Sequence, residues 1–156
     1  MPLRVYIDTS VIGGCLDEEF AEDSQRVFEL AKMGHLRLLL SHVVVRELEQ
    51  APAAVRDLLE SLPESSVERA VISAEVHRLR DAYIAAGVVA AQWLDDATHV
   101  AAAVVARADA IVSWNFRHIV RLDKIKGYNQ VNKLLGFGEL TIICPKEIRY
   151  DESDEG

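Results

Sequence analysis

The sequence predicts an α/β fold: a mostly parallel sheet with helices on both of its faces. Two observations carry this. Short apolar runs of about five residues alternate along the chain with longer amphipathic stretches, and most runs of either kind stop at a glycine, proline or polar turn signal. A third observation sets the scale: 156 residues, half of them hydrophobic, can bury a real core.

The first run, Val5-Tyr6-Ile7, is a short buried strand that delivers Asp8 to its C-terminal end, and Gly13-Gly14 suggests a turn behind it. In open parallel sheets, ligand sites form outside the carboxyl ends of the strands. A carboxylate buried there is costly unless a cation or hydrogen-bond donors meet it; the plainer reading of Asp8 is a cap for the next turn or helix. Asp17-Glu18-Glu19 then suits the N-terminus of an amphipathic helix from Phe20 to Met33, which Gly34 ends. Leu36 to Leu40 is the second strand.

Ser41 can cap a helix through Glu49 whose apolar face is Val44, Val45 and Leu48. Glu47 borders that face rather than opposing it, either as a surface partner of Arg46 or as a functional acid. Pro52 breaks the helix and Ala53 to Leu62 starts another. Val67 to Ile72 is a short strand or extended link. Ser73 caps a helix from Ala74 to Ala86 with Val76, Leu79 and Tyr83 toward the core, and Gly87 stops it.

Leu94 to Arg107 is an alanine-rich helix that opens with Asp95-Asp96. At about 100° per residue, Asp96 shares a direction with Val100 and Ala103, and Asp95 lies one step away, nearer His99. Asp96 therefore faces the packed side, where the helix dipole alone rarely justifies a charge. Asp95 is the cap or surface acid, and His99 reads as a lone helical histidine. Ile111 to Ser113 is a further strand, and Asn115 follows it at the same kind of strand end as Asp8, where Asn is also an ordinary turn residue. Lys124 to Leu135 is a helix with a candidate interruption at Gly127, Leu140 to Cys144 a last strand, and Pro145 closes it. Residues 1–150 read as one domain, and 151–156 as a frayed acidic tail.

What is missing also bounds the function. There is no phosphate-cradling glycine loop and no G-x-S-x-G elbow. Cys15 and Cys144 stand in no metal or redox spacing and read as reduced thiols. The formal net charge of −8 argues against broad electrostatic adhesion to nucleic acid but permits a carboxylate site whose cation reverses the charge locally. No stretch is long and apolar enough to span a bilayer and no cationic-then-apolar leader precedes the first strand, so a cytoplasmic protein is expected.

Asp8, Glu47, Asp96 and Asn115 lie at element ends that a parallel sheet can bring to one edge. Acids on separate elements suit Mg²⁺ or Mn²⁺, hard ions that keep several waters and need few protein ligands. Such ions activate water and neutralise a phosphodiester under attack.

Four stretches in order, V-Y-I-D-T-S-V-I-G-G, V-V-V-R-E-L, L-D-D-A-T-H-V-A-A-A and I-V-S-W-N-F-R-H-I, resemble the PIN domain, most closely its VapC-type toxins. The resemblance spans roughly Val5 to Ile119. It implies a three-layer α/β/α sandwich and a metal-dependent endoribonuclease, with the family's acids falling on Asp8, Glu47 and Asp96. The fourth position, commonly Asp, falls on Asn115, which removes one charge and weakens the case for a second metal. Ser10 matches a small hydroxyl residue that supports the first acid. An RNA substrate, a homodimer and a cognate antitoxin are implied in the same way. Two other readings compete: a non-catalytic PIN-fold module that binds RNA or protein, and an acidic α/β phosphatase. The phosphatase usually has a second acid two residues after its Asp nucleophile, where this chain has Ser10.

Overall fold

In the computed structural model, residues 1–149 are described; the acidic stretch 151–156 lies outside them. Five strands form one sheet: β1 (Leu3–Ile7), β2 (Leu36–Leu40), β3 (Val67–Arg69), β4 (Ala110–Val112) and β5 (Thr141–Ile143). Their order is β3-β2-β1-β4-β5, and every pairing is parallel. Among the described residues seven α-helices connect or flank them: α1 (Thr9–Gly14), α2 (Ala21–Lys32), α3 (His42–Leu48), α4 (Ala53–Glu60), α5 (Ala74–Ala85), α6 (Leu94–Val105) and α7 (Leu122–Leu134).

The period-two alternation of the strands builds two cores, one on each face. Val5 and Ile7 of β1, Leu36, Leu38 and Leu40 of β2, and Ala110 and Val112 of β4 pack with residues of α1 to α4. The intervening Tyr6, Leu39 and Ile111 pack with α5, α6 and α7. Where both faces are covered the central strands are apolar at successive positions, Val5–Ile7 of β1, Leu38–Leu40 of β2 and Ala110–Val112 of β4, which is why these runs read as continuous rather than alternating. The result is an α/β/α sandwich.

Several elements differ from the sequence reading, each for a local reason. Gly13-Gly14 is not a turn but the end of α1. A Cβ on Gly14 would lie 2.5 Å from Ser24 Oγ and 2.8 Å from Trp114 Nε1, so this glycine serves close approach rather than chain reversal. On α3, Val43 takes the inward place expected of Val45, which is 52% exposed; one helical step of about 100° separates facing the core from facing out. α7 runs unbroken through Gly127, where a Cβ would stand 3.1 Å from a Val88 methyl. β4 lies one residue earlier than expected and β5 is shorter, although the Ser113 amide still donates to the Ile143 carbonyl at 3.1 Å. Ser73 does cap α5, accepting from the Val76 amide at 3.3 Å. Cys15 and Cys144 are free thiols, and burial pushes the Cys15 thiol up to about 11. Among the described residues no helix is long and apolar enough to cross a membrane.

Candidate active site

The strand order places a crevice before any side chain is considered. From β1 the sheet extends to β2 and β3 on one side and to β4 and β5 on the other. The carboxyl ends of β1 and β4 therefore flank the topological switch point, where open α/β sheets bind ligands. Ile7 is paired with Val112, so Asp8 and Ser113 emerge side by side.

Asp8 occupies the N-cap position of α1, but its side chain makes no capping bond. Its carboxylate instead accepts from Ser10 Oγ at 2.6 Å and from Ser113 Oγ at 2.7 Å. The side chain is buried, with only 4% of the residue exposed. Burial holds its carboxyl above the ordinary carboxylate range, the nearby Asp96 charge pushes the same way, and His99 and the two hydroxyls act against both. Ser10 Oγ also accepts the Trp114 amide at 2.9 Å and so ties α1 to the end of β4.

Asp96 projects from the first turn of α6 toward the same crevice. His118 Nδ1 lies 3.1 Å from its Oδ2. Burial raises its pKa, while hydrogen bonds from Asn115 and His118 and the charges of His118 and His99 oppose the rise. Asp95 turns away: it pairs with Arg46 at 2.8 Å, both side chains about half exposed. The two adjacent acids thus diverge as the helical phase requires.

Asn115 has two roles in one residue. Its Oδ1 accepts the amides of Arg117 at 3.2 Å and His118 at 2.9 Å, an ordinary Asn turn. Its amide group reaches Asp96. The oxygen of the carboxamide is held by the turn while its nitrogen stays free to favour the charged form of Asp96.

Glu47 does not pair with Arg46. Its Oε1 lies 2.7 Å from His99 Nε2, with the Glu47 side chain 34% exposed and His99 only 2%. On the other ring nitrogen, Tyr6 OH lies 2.7 Å from His99 Nδ1 and 2.7 Å from Ser41 Oγ. An ionised carboxylate only accepts, so His99 donates from Nε2. Burial acts to lower the His99 pKa, but the Glu47 hydrogen bond and the charges of Asp8, Glu47 and Asp96 more than offset it and leave it raised. The helical His99 is therefore not alone: from α6 its ring meets Tyr6 of β1 and Glu47 of α3. Sequence reasoning missed it, and missed His118 as well. The signals present were position alone: His99 follows Asp96 by three residues on one helix, and His118 follows Asn115 by three.

The structure thus brings Asp8, Asp96 and Asn115 to one crevice and holds Glu47 at its border through His99. Among the described residues, no three His, Cys, Asp or Glu side chains are gathered tightly enough to hold a metal ion as they stand. The donor chemistry nevertheless fits a hard divalent ion. Asp8 and Asp96 are buried or partly buried carboxylates whose ionisation is opposed by desolvation. Mg²⁺-type sites use one or two carboxylates and complete the shell with water and substrate.

Comparison with known proteins follows the same lines. The PIN domain family model matches residues 4–117. Among solved structures, the chain is similar to the crystal structure of VapBC2 from Rickettsia felis bound to a DNA fragment from their promoter, with a TM-score of 0.58, 12% identity, and coverage of 91% of this chain and 98% of that one. At that identity the likeness concerns the fold. No curated protein matches the chain. The family match runs from β1 to the turn after β4 and so includes Asp8, Glu47, Asp96 and Asn115: the chain belongs to the PIN domain family.

Proposed function

We propose that this protein is an endoribonuclease that depends on Mg²⁺ or Mn²⁺ and acts as the toxin of a type II toxin–antitoxin pair. The observation that carries the reading is the pair Asp8 and Asp96, two carboxylates held at the switch point of the sheet in surroundings that disfavour their charge. Desolvated acids of this kind are held for a cation or for catalysis more often than for stability. Asp8 and Asp96 would hold the ion, with Glu47 at the border reaching it directly or through water. When bound, the ion supplies an activated water and neutralises charge on the phosphodiester. The chain's own residues orient the acids: Ser10 and Ser113 fix Asp8, Asn115 and His118 fix Asp96, and His99 fixes Glu47.

The toxin assignment draws support from family membership and from the fold shared with VapBC2. An antitoxin partner, a homodimer of this chain and a cytoplasmic location belong to the same proposal. The alternative, a non-catalytic module for RNA or a protein, is favoured by the neutral Asn115 and the absence of a gathered three-ligand set among the described residues. Incubation of a mixed single-stranded RNA pool with the protein decides between them. Fragments that appear in Mn²⁺ and vanish in EDTA are expected; an intact pool across Mn²⁺ concentrations overturns the nuclease reading. Sedimentation at micromolar concentration should give twice the chain mass, and a one-chain mass counts against the homodimer.

A further inference from the structure

A recess of 430 Å³ opens beside Asp96, lined by Gln92, Trp93, Leu94, Asp95 and Asp96. It is made where a single 3₁₀ turn, Ala91–Trp93, runs directly into α6. Trp93 is partly buried, and its ring is stacked on His118 with centroids 4.2 Å apart and planes 25° from parallel. His118 in turn contacts Asp96 at 3.1 Å. A ring stack and a hydrogen bond therefore fix the indole relative to the acid site.

The lining says what kind of group fits. Two of its five residues are acidic, and Arg46 at Asp95 is already committed to that carboxylate at 2.8 Å. A phosphate is disfavoured there. A flat, uncharged group with a π-face and hydrogen-bond donors on its edge suits an indole wall, the remaining lone pairs of Asp95 and the exposed amide of Gln92. A cation for phosphate is available nearby instead: Arg117, on the turn after β4, is exposed and has no ion-pair partner among the described residues.

We infer that this recess is a nucleobase subsite, in which a base of a single-stranded RNA lies against Trp93 and sets the adjoining phosphodiester at Asp8 and Asp96. The inference rests on the ribonuclease reading and adds where a base of the substrate lies. A base paired in a duplex is stacked on its neighbours and cannot enter the recess. The affinity comes from stacking, which is tolerant of sequence, rather than from charge, in keeping with a chain of formal net charge −8.

The test is a binding cycle in an Asp8→Asn background, which keeps the recess and does not cut. Anisotropy is measured for a labelled mixed-sequence octaribonucleotide and for the same backbone without bases. The base-bearing strand should bind tighter by roughly 5- to 150-fold, the equivalent of one stacked base. Trp93→Ala should abolish that advantage, and Trp93→Phe should keep most of it. If Trp93→Ala retains the advantage while the wild type still cuts RNA, the subsite is wrong and the nuclease reading stands. If the wild type neither binds nor cuts single strands in Mn²⁺, both fall. Should Trp93→Ala fail to fold, photo-cross-linking of a 5-iodouridine strand to the Asp8→Asn chain, otherwise unaltered, takes its place. A cross-linked peptide containing Trp93 is expected, and a cross-link confined to other segments overturns the inference.

Discussion

Asp95 and Asp96 have the same chemistry and sit one residue apart, yet their environments set opposite expectations. Asp95 shares an exposed ion pair with Arg46, a kind of contact worth little. Asp96 carries a pKa raised by burial. For a carboxyl whose folded pKa lies above its unfolded value, the native state binds the proton more tightly. Stability is therefore highest below the unfolded pKa and falls as pH rises through the folded one. Asp96→Asn removes that penalty and should raise Tm at pH 7 in EDTA by about 2–4 °C, what about 1 kcal/mol is worth in a chain of this size. The gain should shrink as pH falls toward 4. The same variant should lose Mn²⁺-dependent RNA cleavage, while Asp95→Asn should keep it; an inactive Asp95→Asn beside an active Asp96→Asn would reverse the assignment. Tyr6 makes a contrasting case. Tyr6→Phe leaves Ser41 Oγ and His99 Nδ1 without their shared partner in a buried setting. A loss of about 1–3 kcal/mol is expected, read as a lower midpoint in urea. An unchanged midpoint would show that water replaces the hydroxyl.

At the scale of the element, α1 shows where sequence reading stops. Strands β1 and β2 and helices α2, α5 and α6 were legible because apolar periodicity reports burial on one or two faces of a regular element. α1 has six residues and ends in two glycines, so its period is too short to see and its composition reads as a turn. What its glycine serves is tertiary: Trp114 Nε1 donates to Ser24 Oγ at 2.7 Å, and both atoms lie where a Cβ on Gly14 would stand. Gly14→Ala places a methyl inside that contact and should cost about 1–3 kcal/mol by overpacking. Gly13→Ala, where a Cβ meets nothing within 4 Å, should cost far less. Denaturant midpoints for the two variants check this, and equal midpoints would mean that the Trp114–Ser24 contact shifts freely. Where the polar candidates sit was legible for a different reason: Asp8 and Asn115 follow apolar runs, Asp96 breaks an apolar face and Glu47 borders one. The partner of Glu47 was not. The Glu47–His99 contact joins residues 52 positions apart, and no local pattern reports it.

For the molecule as a whole, the strand order and the charge balance bear on the same question. The formal net charge of −8 works against RNA approaching the chain, and the crevice between β1 and β4 adds Asp8 and Asp96 to that field. A bound divalent cation changes the sign where the phosphate must sit, without altering the charge elsewhere. Such an ion should also stabilise the fold, since it would be held by Asp8 and Asp96 as the native state places them and the unfolded chain offers no comparable pair. By linkage, Mn²⁺ at about one hundred times its Kd adds about 2.7 kcal/mol. Thermal melts should therefore show Tm rising with the logarithm of Mn²⁺ once the site begins to fill. Asp96→Asn and Asp8→Asn should start from a higher Tm in EDTA and gain much less from the metal, so that the curves converge or cross. Equal Mn²⁺ gains in the wild type and in both variants would place the ion elsewhere on the acidic surface. A Tm that ignores Mn²⁺ at millimolar concentration would leave the crevice acids without their cation and favour the binding-module reading over the nuclease.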